Sequence, residues 1–266
     1  MSMIVLSWWD VTVAALLVIV LACLSFWQRL ALEKQILIAA VRTVIQLALV
    51  GLVLKVIFDD ARLVWVVLMA AVMLTVAGYE TMARQKRRLR GWWAYGIGAA
   101  SLFASSFTVT LFGLLLVIGN EPWYQPQYAI PLLGMMLGNT MNGVALSLDR
   151  LMSSVWQQRA VIEQRLMLGQ AWKEAMTELR HEAMRAGMIP TINAMAAVGI
   201  VSLPGMMTGQ ILSGTPPMEA VKYQMMIMFM VAAGVGFGTL VALQLGTRSL
   251  FDERQRLRLE RLKWIP

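Results

Sequence analysis

A chain of 266 residues that is 59% hydrophobic and only 14% charged, with a mean hydropathy of +0.66, is too apolar for a soluble domain and calls for a lipid bilayer. A formal charge of +8 would suggest nucleic acid in a soluble protein, but in a membrane protein Lys and Arg first mark cytoplasmic loops, so nucleic acid is not an expected partner. One cysteine, Cys23, and one histidine, His181, leave no ligand set for a disulfide, a zinc site or an iron–sulfur cluster.

Apolar windows predict an all-α, polytopic bundle of seven transmembrane helices near residues 9–26, 36–58, 63–79, 94–119, 130–148, 188–213 and 221–245. No Lys or Arg precedes the first, and Asp10 stands at its start, so it reads as a retained span rather than a cleaved signal peptide. The second carries Arg42 and Gln46, four residues apart and therefore on one helix face. Arg42 lies about 9 Å inside that span at 1.5 Å per residue. Its face either lines a pathway or meets another helix end, or else Arg42 snorkels to the membrane interface. The outer loop NEPWYQPQYAIP, residues 120–131, reads as a short rigid cap rich in proline and interfacial aromatics.

The fifth span carries Asn139 and Asn142, and the sixth Asn193, amides that either face a path or tie helices together. Three G-x-x-x-G patterns, Gly134 to Gly138, Gly205 to Gly209 and Gly234 to Gly238, allow close helix packing. In VSLPGMMTGQILSG, Pro204 removes a backbone donor and Gly205 relaxes the chain after it, so a break or kink is expected two-thirds along the sixth span. Broken helices line substrate paths in transporters, although a packing kink gives the same pattern.

Nineteen of the 23 basic residues fall in four segments, 27–35, 80–93, 149–187 and 246–266. The alternate loops hold only Arg62, while Arg42, Lys55 and Lys222 lie within spans. Positive charge is retained in the cytoplasm. The N-terminus is therefore expected outside and the basic tail 246–266 inside, in agreement with an odd number of crossings.

No Asp or Glu falls inside a predicted span, since Asp10, Glu80 and Asp149 stand at span ends, which disfavours a proton- or sodium-coupled carrier. No G-x-x-x-x-G-K-[ST] pattern occurs, so ATP cannot bind here through a P-loop. The 21 methionines, paired at 135–136, 206–207 and 225–226 and followed by Met228 and Met230, read either as flexible filler or as a thioether ladder for a soft metal.

Only 149–187 is long enough, on the basic side, to form structure of its own. Its apolar residues Ile162, Leu166, Met176, Leu179 and Ala183 recur at helical steps among charges, and Gly169 interrupts them. A helix to Leu168, a turn at Gly169 and a second helix toward Gly187 and Pro190 are expected. This amphipathic hairpin lies on lipid, or its apolar stripe enters a groove on a cytoplasmic partner.

The order E-x-x-x-x-x-G from Glu163 to Gly169, with Ile189-Pro190 downstream, resembles the coupling segment of ABC-transporter permeases. The stretches ALEKQILIAAVRTVIQLALVGLVL (31–54), PLLGMMLGNTMNGVALSLDRL (131–151) and IPTINAMAAVGIVSLPGMMTGQILSGTPPMEAVKYQMMIMFM (189–230) are similar to the FetB-type family of iron-export ABC transporter permeases. That family's plant relatives are linked to aluminium tolerance. The resemblance implies a single permease domain over 1–266 in the bacterial inner membrane. It also implies a homodimer that pairs with a separate cytoplasmic ATPase and exports iron or another metal. The chain itself binds no cofactor, ATP and Mg being held by the partner. Glu163, Leu168 and Gly169 would couple to that ATPase. Arg42, Gln46, Gly138, Asn139 and Pro204, Gly205, Met206 and Met207 match the family's intramembrane signature positions, and Asn142 joins them as a candidate for the translocation path. Arg42 and Lys55 would repel a bare divalent cation, so a metal complex or an anion is the expected cargo. A membrane scaffold that recruits a cytoplasmic protein, and an ion-coupled carrier, are the other classes open at this point.

Overall fold

The computed structural model describes residues 7–119 and 121–264. The N-terminal six residues and Asn120, expected as the outer terminus and the start of the outer loop, lie outside the described residues. So do the last two residues of the expected tail.

Helix α1 (Trp8–Trp27) opens with a reciprocal cap. The Asp10 amide donates to Ser7 Oγ at 3.4 Å, and the Ser7 amide donates to Asp10 Oδ2 at 2.8 Å. The carboxylate at the head of the first span is thus a capping group. Helices α2 (Glu33–Asp59) and α3 (Leu63–Ala83) follow. The fourth span, Trp92–Ile118, is α4 (Trp92–Leu102) and α5 (Thr108–Phe112) joined and continued by π-helical segments at Phe103–Phe107 and Gly113–Ile118. A hydroxyl cause is visible there: Ser105 Oγ donates to the Ser101 carbonyl at 2.8 Å and Thr108 Oγ1 to that of Ala104 at 2.6 Å. These donations compete with backbone amides for the same acceptors and loosen the α-helical ladder.

Helix α6 (Pro126–Gln157) is longer than its predicted span at both ends. Two of the three prolines assigned to the outer cap belong to it: Pro126 stands in the first turn, where no amide is needed, and Pro131 lies inside. The chain continues through α7 (Arg159–Met167), a short α8 (Trp172–Ala175) and α9 (Thr177–Ala197), then α10 (Gly205–Leu212) and α11 (Pro217–Ser249). Among the described residues six continuous helices, α1, α2, α3, the fourth span, α6 and α11, are long and apolar enough to cross a bilayer.

The stretch expected as one helix over 188–213 is two. Helix α9 begins eleven residues before that window, passes Gly187 and Pro190 without ending, and stops at Ala197. Residues 198–203 leave the helix, with Gly199 at φ 83°, and Pro204 caps α10. The break expected at Pro204 is present, but it is a six-residue interruption rather than a kink. Proline biases the residue before it away from helical backbone, and Gly199 accepts the left-handed conformation that ends α9.

Helices α6 and α11 form the centre, with α9 packed on both and α3 and α4 flanking. In its most apolar stretch α6 is 56% buried and α2 not at all, so α1 and α2 form a peripheral hairpin facing lipid. Close approach depends on small residues. A Cβ on Gly187 would lie 2.7 Å from the Gly143 carbonyl oxygen, and one on Gly143 would lie 2.5 Å from Val235 Cγ1. Of the three G-x-x-x-G patterns, only Gly234 and Gly238 make such a contact together, both against Thr140. A Cβ at Gly138, Gly205 or Gly209 would meet nothing within 4 Å.

Three of the four basic segments meet at one end. Strand β1 (Arg87–Leu89) pairs antiparallel with β2 (Leu262–Trp264), the Lys86 amide donates to Asp149 Oδ1 at 2.7 Å, and Trp172 stacks on Phe251 at 5.5 Å. The fourth lies beside them, because Arg42 near the start of α2 reaches Glu80 near the end of α3.

The Gly143–Gly187 contact leads to a direct expectation. Gly143→Leu should destabilise the bundle by about 1–3 kcal/mol through overpacking, whereas Gly138→Ala should leave its thermal midpoint in detergent unchanged or raised. Equal effects would show that helix propensity, not the crossing, is being measured.

Candidate functional site

Where α9 breaks, a cavity of about 320 Å³ remains between α6, α9, α10 and α11. Helix α6 contributes Met135, Asn139, Asn142 and Gly143; α9 contributes Gly187, Pro190, Thr191 and Ala194. Pro204, Gly205 and Met206 close it from the α10 side, and Gln224, Ile227, Met228 and Val231 from α11. Five of the eight candidate path residues, Asn139, Asn142, Pro204, Gly205 and Met206, are thus brought together. Gln46 and Met207 are not among the lining residues: Gln46 lies exposed on α2, and Met207 is half-buried on α10.

The lining is mostly apolar, with a few polar groups and no charged one. Three thioethers, three side-chain amides and the Thr191 hydroxyl face the space, and Gln224 Oε1 is buried with no hydrogen-bond partner. Asn139 donates from Nδ2 to the Met135 carbonyl at 2.8 Å. Among the described residues, no group of three or more His, Cys, Asp or Glu could hold a metal ion. Such a lining suits a neutral or complexed species, or a soft ion met by sulfur, better than a hydrated divalent cation. The other methionines divide as filler: Met136, Met152 and Met176 are fully buried in the core.

Arg42 does not line the cavity, yet it is tied to it. Its guanidinium donates to Glu80 Oε1 at 2.7 Å, Arg84 Nε lies 3.9 Å from Glu80 Oε2, and Arg84 donates from NH1 to Asn142 Oδ1. This chain joins α2, α3 and α6 to the cavity wall. The sequence reading missed Glu80 as a partner because it ended the third span at 79, whereas α3 runs to Ala83 and carries the carboxylate. In the same way Asp149 lies within α6 rather than at its end.

A second site forms at the basic end. Glu163, Leu166, Met167, Gly169, Gln170 and Ala171 face residues 253–257 across a groove of about 680 Å³. Gly169 turns the chain at φ 88°, with its amide on the Leu166 carbonyl and that of Gln170 on the Arg165 carbonyl, both near 3 Å. The hairpin of helix, turn and helix is as expected. Its apolar stripe is not free for a partner, however. Ile162, Met176, Leu179 and Ala183 are buried in the chain's own core with Leu148, Leu151, Val155 and Phe251, because α6 extends far enough to receive them. What is exposed is the tip, with Met167 at 82% and Leu168 at 85%. Arg165, paired with Glu178 at 2.8 Å, fastens α7 to α9.

As far as residue 264 the basic tail is folded rather than loose. Helix α11 takes it to Ser249, and Asp252 then accepts from the amides of Arg254 and Arg256 at 3.0 and 2.8 Å and from Arg256 Nε at 2.9 Å. The Arg256 amide above all, and its guanidinium, hold the Asp252 carboxyl below the usual carboxylate range against the opposing effect of desolvation. Gln255 Oε1 accepts from the Trp172 amide at 3.2 Å, which fastens tail to hairpin.

The model of the Uncharacterised protein family UPF0014 matches residues 8–251. The chain belongs to this family. Among UPF0014 relatives, it is 38% identical to "UPF0014 membrane protein slr1647" of Synechocystis, over 96% of this chain and 98% of the relative. It is 35% identical to "Probable iron export permease protein FetB" of Escherichia coli, over 96% of each chain. It is also 32% identical to "Protein ALUMINUM SENSITIVE 3" of Arabidopsis thaliana, over 92% of this chain and 88% of the relative. No solved structure matches. With its six apolar helices and these relatives, this UPF0014 member is a multi-pass, all-α membrane protein.

A carboxylate whose folded pKa is lowered contributes stability above its ordinary range and loses it as pH falls through the lowered value. Hydrogen exchange at residues 252–258, corrected for its intrinsic pH dependence, should therefore accelerate below the ordinary carboxylate range. Asp252→Asn should show the same acceleration at neutral pH. An unchanged exchange rate in the variant would mean that strand pairing alone holds the tail.

Proposed function

We propose that this protein is the permease subunit of an ABC-type exporter, carrying iron or another metal as a complexed species, with ATP hydrolysed by a separate cytoplasmic subunit. The observation that carries the reading is the cavity at the α9–α10 break, which collects Asn139, Asn142, Pro204, Gly205 and Met206. The name of the Escherichia coli relative supports the metal. Broken helices facing a cavity provide what a transport pathway needs, backbone and amide groups that meet cargo inside the membrane. A scaffold that only recruits a partner has no use for such a cavity. An ion-coupled carrier gains little from Glu80, which two guanidiniums already hold.

The basic end is the cytoplasmic end by the positive-inside rule, with the N-terminus outside, the C-terminus inside and seven crossings when α9 and α10 together count as one. In a bacterial cell the membrane is the inner membrane. Two copies form the working permease, each bringing one such cavity. Each hairpin tip, Met167, Leu168 and Gly169 with Glu163 beside them, docks on an ATPase that holds ATP and Mg. The tip is connected to both cavity walls, since α7 follows α6, Arg165 pairs with Glu178 of α9, and Ile162 packs in one core with Leu179. Closure of the ATPases on ATP tilts α6 against α9 about the Gly143–Gly187 contact and switches access to the cavity. The lining residues are neutral, but behind them one carboxylate, Glu80, faces two guanidiniums, Arg42 and Arg84, so the wall at Asn142 keeps a net positive charge. A bare cation is repelled there, and a complexed or anionic species is not.

Co-purification with its ATPase tests the coupling. Leu168→Asp, at an 85% exposed position, should weaken association by more than tenfold, about 2 kcal/mol as for an interface hot spot, with an unchanged melting temperature. Undiminished association and transport would end the coupling assignment. Asn139→Leu should leave the complex intact but remove stimulation of its ATPase by iron chelates. Equal stimulation of wild type and variant would place the cargo elsewhere.

A further inference from the structure

A third cleft, of about 970 Å³, opens at the basic end between the fourth span and the end of α11, apart from both sites above. Its mouth carries three guanidiniums, Arg90, Arg248 and Arg261. Among the described residues none of the three is ion-paired. Arg261 donates from Nη1 to the Ser249 carbonyl at 2.6 Å, and its own carbonyl accepts from the Arg90 amide at 2.7 Å, so the β1–β2 ribbon and the end of α11 fix the Arg261 side chain and the Arg90 backbone. The one carboxylate adjacent in sequence, Glu260, is bonded by Arg258 and lies within electrostatic reach of Arg261 alone of the three.

Below the charged mouth the cleft is apolar. Gly96, Ala100 and Leu245 wall it along two membrane-spanning helices, and Trp92 and Trp93 stand at its edge, 85% and 73% exposed. Paired tryptophans at the start of a span mark the headgroup level of a bilayer. Three like charges with only Glu260, shared between Arg258 and Arg261, to offset them repel one another and gain from an anion. Free phosphate would satisfy the guanidiniums but leave the apolar wall unused.

We infer that this cleft binds an anionic glycerophospholipid, its headgroup phosphate on Arg90, Arg248 and Arg261 and an acyl chain along the groove between α4 and α11. Basic pockets between transmembrane helices at the cytoplasmic face are suited to such lipids. The inference is independent of the transport reading and needs only that the chain lie in a membrane.

Native mass spectrometry of the full chain in detergent tests it, with phosphatidylglycerol, phosphatidylcholine and water-soluble glycerol phosphate added in turn. Phosphatidylglycerol should bind well above phosphatidylcholine, and glycerol phosphate should not compete. Arg248→Gln should weaken phosphatidylglycerol about fivefold, in line with the contribution of one basic residue near an anionic surface. Arg248→Lys should retain binding, and Arg185→Gln, an exposed charge outside the cleft, should change nothing. A Cβ at Gly96 meets no atom within 4 Å, so Gly96→Phe fills the groove with the arginines in place and should also weaken the lipid. Three results would overturn the proposal: equal binding of the two lipids, an equal loss in Arg185→Gln, or full competition by glycerol phosphate. A fourth would assign the cleft to a protein instead: loss of the ATPase from Arg248→Gln with lipid binding unchanged.

Discussion

At one point on α6 and one on α9 the backbones touch with no side chain between them. The Gly187 Cα faces the Gly143 carbonyl, and Val235 and Thr239 of α11 close over the pair. Any larger residue at either glycine would separate the helices, and both functional regions are defined by that separation. On one side of the contact α9 continues to Ala197 and breaks, leaving the cavity that Gly143 and Gly187 themselves help to line. On the other side α9 runs back to the hairpin, where Leu179 and Ala183 pack on the extension of α6. Movement at the tip and movement at the cavity are therefore movements of the same two helices.

Most of the spans were legible because a bilayer imposes one dominant requirement, an unbroken apolar stretch of sufficient length, and the sequence meets it within a few residues at most boundaries. The shared end of the basic segments was legible for an equally simple reason: charge segregation is a one-dimensional pattern, and the β-ribbon, the Lys86 to Asp149 bond and the Trp172 stack bear out its grouping. The break near Pro204 was legible from local chemistry. Its width was not, because where α9 ends depends on Gly199 and on packing against α6 and α11.

What stayed hidden were long-range pairings. An amphipathic stripe shows that a helix must bury one face, but not against what; here α6 runs past its hydropathy window to Gln157 and supplies the surface itself. Glu80 is a similar case. A hydropathy window ends where charge begins, so a carboxylate in the last turns of α3 fell outside the span. Its two arginine partners lie 38 positions back and 4 positions on. Of the candidate path residues, those on α6 and, Met207 excepted, those at the start of α10 converged because both elements border the break. Gln46 did not, because α2 stands at the periphery and only Arg42 is long enough, through Glu80 and Arg84, to reach the wall.

The tail links surfaces that would otherwise be separate. Asp252 bends it beside the hairpin, where residues 253–257 complete the groove at Gly169, and β2 then carries it to the other side of the same end, where Arg261 completes the cleft proposed for lipid. Loss of the strand pairing would disturb both surfaces at once, because one segment borders each. In the sequence these last residues are only a run of basic charge. In the fold they touch the hairpin, the loop after α3 and the end of α11, and the side chains of Arg256, Arg258 and Arg261 are engaged by carboxylates or a backbone carbonyl.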